Sequence, residues 1–85
     1  MFEKEIGITR KLHNAIQAHK SGQIEQAESM YIDILKQQPD HAAALQLLGV
    51  IRKEQQKFNE AKFLFESSLR IYPNQPSVWA NYSAI

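Results

Sequence analysis

The chain has 85 residues, enough for one small domain with a modest core. Its 44% hydrophobic and 22% charged content excludes a disordered chain, and a net charge of +1 with both signs interspersed leaves no basic patch for nucleic acid or an anionic membrane. Cysteine is absent, which excludes disulfides and thiolate metal sites and fits a reducing, cytoplasmic location. The start, Met1 to Glu5, lacks the basic-then-apolar pattern of a secretory leader, and no apolar run approaches the length of a membrane span.

Five helical segments are predicted, and nothing reads as strand. In the first, Gly7 places the stable start near Ile8 or Thr9, with residues 1–6 frayed or loosely packed. Ser21-Gly22 ends this segment, because glycine tolerates the positive φ of a helix C-terminus. In the second, Ile24, Ala27, Tyr31, Ile34 and Leu35 form one apolar stripe at helical spacing. Pro39 stops that helix, and Asp40 is placed to cap the third. The third is apolar on several sides, through Leu45, Leu47, Leu48, Val50 and Ile51, as in a helix lying between neighbours. Gln55-Gln56-Lys57 forms a turn without a glycine. Phe58, Ala61, Leu64, Phe65 and Leu69 make the stripe of the fourth segment. Tyr72 to Pro76 separates it from the fifth, where Pro76 suits a first helical position.

These segments repeat. Ala27, Tyr31, Leu35 and Pro39 recur 34 residues later as Ala61, Phe65, Leu69 and Pro73, and Ala15 recurs as Gly49. Only Ile34, which falls on Ser68, changes character. A period of this size marks helix pairs that cannot bury their apolar faces alone and therefore stack. With Leu48-Gly49, the turn glycine Gly22, the Ala/aromatic/Pro positions of the second helices, and Trp79, the pattern resembles the tetratricopeptide repeat family. Lys11, Asn14 and Ala18 depart from its Trp, Leu and Tyr, and Arg52 departs from its Tyr.

The resemblance implies an all-α solenoid of antiparallel helix pairs: one domain over 1–85, with units 8–41 and 42–75, a partial unit 76–85 and an extension 1–7. It also implies an interaction module rather than an enzyme. The first helices would line a concave groove that takes a protein or peptide. Its partner-binding residues would be Leu12, His13, Ile16, His19, Lys20, Gln46, Leu47, Val50, Lys53, Glu54 and Asn81, with Thr9 and Ala43 beside them. Leu12 and Ile16 stand where acidic-tail binders carry Lys and Asn. An apolar helix or extended peptide with polar edges therefore fits the groove better than a carboxylate clamp.

Chemistry is not indicated. The serines lack a nucleophile elbow, no glycine-rich phosphate loop is present, and no cofactor is implied. His13 and His19 are six residues apart and His41 lies in a turn, which is not the spacing of a metal site. Tyr31, Phe65 and Trp79 are read as core. The fifth segment also offers Trp79, Tyr82 and Ile85 as an apolar edge, which predicts self-association into a homo-oligomer or continuation of the array. A third reading makes the chain the opening segment of a larger enzyme, since its texture resembles repeats joined to glycosyltransferase or sulfotransferase domains.

Overall fold

A computed structural model describes the chain from Phe2 to Ile85, with side chains from Ile6 onward. Five helices follow one another: α1 (Phe2–Lys20), α2 (Ile24–Gln37), α3 (Ala42–Glu54), α4 (Phe58–Ile71) and α5 (Pro76–Ser83). The described residues contain no strand, and none of their helices is long and apolar enough to cross a membrane. Each helix packs on the next in sequence, because connections of three to four residues turn the chain straight back. The thinnest dimension is 19 Å, about two helix diameters, as expected of two helix layers.

The turns explain the segmentation. After α1, the Gln23 amide donates to the Ala18 carbonyl at 2.9 Å and the Gly22 amide to the His19 carbonyl at 3.1 Å. After α3, Lys57 donates to Arg52 at 2.8 Å and Gln56 to Lys53 at 2.9 Å. Both are the two-bond closure that satisfies the last helical carbonyls, and it requires a left-handed residue at its centre. Gly22 holds φ at +83° at no steric cost; Gln56 holds +62° with a side chain attached.

Two expectations about helix starts are corrected. α1 runs without a break through Gly7, so the helix begins before Ile8; the side chains of residues 1–5 lie outside the described part. At α3 the cap is His41 rather than Asp40: the His41 Nδ1 accepts from the Ala44 amide at 3.1 Å. Asp40 sits one residue early and is exposed. Pro76 begins α5 as predicted.

The core is built from the repeated positions. Ala15, Ala18, Ala27, Tyr31, Leu48 and Ile51 form one buried cluster joining α1, α2 and α3. Ala61, Phe65, Leu69 and Val78 form a second between α4 and α5. The small residues set how closely helices approach. A Cβ added to Gly49 would lie 2.7 Å from the Phe65 ring, so α3 and α4 touch where glycine stands. Tyr31 is fully buried and its hydroxyl finds no partner among the described groups, so the ring is held by packing alone. Trp79 is corrected: it is 47% exposed, and Val78 is the buried residue of α5.

Candidate protein-interaction face

The side chains expected on the first helices come together across helix boundaries. His19, near the end of α1, meets Glu54 at the end of α3, with Nε2 and Oε1 2.9 Å apart. Lys53 of α3 donates from Nζ to Asn81 Oδ1 of α5 at 3.3 Å. Asn81 in turn donates to the Ser77 carbonyl at 3.0 Å, which fixes the amide's orientation. The His19 ring stands edge-on to Tyr31 at 6.4 Å, so the core also positions it. Consecutive first helices thus form one connected strip.

The apolar members lie deeper than the polar ones. Leu12 and Leu47 are half-buried against the Tyr31 cluster, and Val50 against the Phe65 cluster. Ile16 and Gln46 are half-buried and Ala43 likewise, whereas His13, Lys20 and Thr9 are exposed. Leu12, Leu47 and Val50 therefore serve as floor and core together. An open groove of about 590 Å³ runs along α1, lined by Ile6, Thr9, Arg10 and His13. Ile6 and Arg10 were not singled out from the sequence. Their spacing with Thr9 and His13 is helical, but Ile6 lies in the stretch before Gly7 that reads as frayed, and Arg10 was not placed on the groove side.

Charge is sorted between the two sets of helices. Lys11 turns from α1 to Asp33 of α2, at 3.8 Å, and Arg52 turns from α3 to Glu28 of α2, at 3.0 Å. Gln55 joins the second pair, accepting from Arg52 at 3.0 Å and donating to Glu28 at 3.3 Å. The Arg52 hydrogen bond holds the Glu28 carboxyl below its ordinary range, against the opposing effect of burial. With those cations engaged by α2, the first helices retain Arg10, Lys20 and Lys53. Glu54 is their one carboxylate among the described side chains. The strip is therefore basic, with an apolar floor.

Repeated helix pairs, small residues where helices touch, and ring residues between them are all now in place. Residues 18–85 match the family model for the tetratricopeptide repeat. The chain belongs to the tetratricopeptide repeat family. Repeats of this family generally mediate protein–protein interaction and are typically non-catalytic. In this member the position of the family's tyrosine in α3 is occupied by Arg52, which ties α3 to α2 instead of filling space.

Proposed function

We propose that this chain is a non-catalytic interaction module that binds a peptide or helix from a partner protein along α1, α3 and α5, its concave face. The observation that carries the reading is the pair of cross-helix contacts, His19 to Glu54 and Lys53 to Asn81, which join separate helices into one strip. A segment suited to that strip has apolar side chains for the half-buried floor of Leu12, Ile16, Leu47 and Val50. It has carboxylates for Arg10, Lys20 and Lys53 at the edges. Edge charges of this kind raise association rate and select partners more than they add affinity.

Selection from a random peptide display library tests the reading. Enriched sequences are expected to pair apolar with acidic residues, and to lose binding to a Lys20→Glu, Lys53→Glu variant that still shows the wild-type helical spectrum. No enrichment, or enriched peptides indifferent to that charge reversal, overturns it. Leu47 and Val50 are poorer choices for substitution, because a carboxylate there would enter the core.

A further inference from the structure

A second groove lies away from the strip. It holds about 390 Å³ and is lined by Leu48 and Arg52 of α3 and by Asn59, Glu60, Phe63 and Leu64 of α4. By helical spacing, Leu48 and Arg52 lie on the opposite side of α3 from Gln46, Val50 and Lys53. Leu64 packs on the cluster that holds Tyr31 of α2, and Arg52 is tied to Glu28 of α2 at 3.0 Å. The groove therefore lies within the array rather than at either end. Phe63 stands on its rim 65% exposed, the most exposed of the large apolar side chains described.

The helix packing does not call for that ring. Thirty-four residues earlier its place is taken by Ser29, also exposed. The matching groove between α1 and α2, of about 330 Å³, has Asn14, Ala18, Gln26 and Met30 where the second has Leu48, Arg52, Glu60 and Leu64. The same packing thus forms over a largely polar lining, so stacking alone does not account for the apolar one. Exposed apolar surface of this kind marks an interface. Its charge is also defined. Arg52 is engaged by Glu28 and Gln55, both at 3.0 Å, whereas Glu60 forms no ion pair among the described residues. The charge open to a ligand is that of Glu60, which stands one turn before Phe63 on the same helix face.

We propose that this groove is a second docking surface, and that its occupant is a segment of a partner protein carrying an arginine among aliphatic residues. The aliphatic side chains lie on Leu48 and Leu64. The arginine lays its flat guanidinium on the Phe63 ring and donates from its edge to the Glu60 carboxylate. Arginine suits this pair because it stacks on a ring and bonds a carboxylate at the same time, which the compact ammonium of lysine does less well. The two surfaces then select by opposite sign. An acidic segment suited to the strip meets an uncompensated carboxylate here, and an arginine segment meets Arg10, Lys20 and Lys53 there.

Backbone amide NMR of the full chain, titrated with two short peptides of leucine and either arginine or glutamate, tests this. The arginine peptide is expected to shift the resonances of Leu48, Glu60 and Phe63, and the glutamate peptide to leave them in place. Phe63→Ser, which gives the groove the residue of the first unit, is expected to raise the dissociation constant of the arginine peptide at least about tenfold, as loss of an aromatic anchor does. Glu60→Gln is expected to raise it about tenfold as well, since it removes the charge from the hydrogen bond. The Lys20→Glu, Lys53→Glu variant is expected to leave these groove shifts unchanged, which separates this proposal from the reading of the strip. An arginine peptide that moves no groove resonance at millimolar concentration overturns the proposal. So does a glutamate peptide that moves them equally, or binding indifferent to both Phe63→Ser and Glu60→Gln. The two peptides on the wild-type chain decide the matter even where a variant loses its fold.

Discussion

The two helix pairs, α1–α2 and α3–α4, share a plan but close their ends with different chemistry. In the first pair Ile34 is fully buried and packs with Ile8 of α1 and Ala44 of α3, all apolar. In the second pair the residue at the Ile34 position is Ser68, equally buried. Its hydroxyl donates to the Ala42 carbonyl at 2.9 Å, and the Gln75 amide donates to the Ser68 carbonyl and hydroxyl, both at 3.1 Å. The residues that follow are exchanged in the same sense. His41 caps α3 with its ring, whereas Gln75, at the start of α5, turns its amide back to Ser68 and to the Tyr72 carbonyl. An apolar junction tolerates sliding; a hydrogen-bonded one fixes a register. The lesson is that one repeat position can be filled by a hydrocarbon or by a polar network, provided every buried polar group finds a partner.

The largest effect expected from this comparison is at its apolar side. Ile34→Ala should cost about 2–5 kcal/mol in urea denaturation, since it removes buried methyl groups and leaves a cavity. Ser68→Ala should cost less, about 0.5–1.5 kcal/mol, because it removes hydrogen bonds to the Ala42 carbonyl and from Gln75 without opening space or stranding a buried group. If the order reverses, the polar junction rather than the hydrocarbon one dominates the stack.

The turns provide a smaller contrast. Gln56→Gly should stabilise the chain by about 1 kcal/mol, by removing the cost of a left-handed side-chain-bearing residue where Gly22 already has none. A melting temperature that fails to rise would mean that the Gln56 side chain contributes something the turn geometry does not show.

Acid sensitivity offers the finest test. The folded Glu28 carboxyl lies below its ordinary value of 4.5, chiefly through its bond to Arg52. A lowered folded value means that its contribution to stability is present above pH 4.5 and fades as pH falls through the folded value. Glu28→Gln should therefore be less stable than wild type at neutral pH by no more than about 1 kcal/mol, and the gap should close in acid. A gap that stays constant from pH 7 to pH 3 would assign the loss to shape rather than to charge.

The 34-residue periodicity, the stripes on α2 and α4, and the turn residues Gly22, Pro39 and Pro76 were legible in the sequence because each reflects a local constraint. Backbone sterics, helical spacing and the missing proline amide act within a few residues. So was the set of residues on the first helices, through their place in the repeat. What the sequence left open was depth and pairing. Leu12, Leu47 and Val50 look alike whether they face a ligand or a neighbouring helix. The structure sets them half-buried, because adjacent pairs close over them. Arg52 gives no sign in sequence of its partner Glu28, 24 positions away, nor Ser68 of the Ala42 carbonyl. Asp40 was the better local cap by residue type, yet the chain's path into α3 gave that place to His41. Trp79 shared the register of buried Leu45 and came out exposed, with its indole N–H turned to the Pro73 carbonyl. Sequence alone determined which residues sit on which face of each helix; tertiary structure decided which of those faces are covered, since burial depends on a neighbour that the local sequence does not contain.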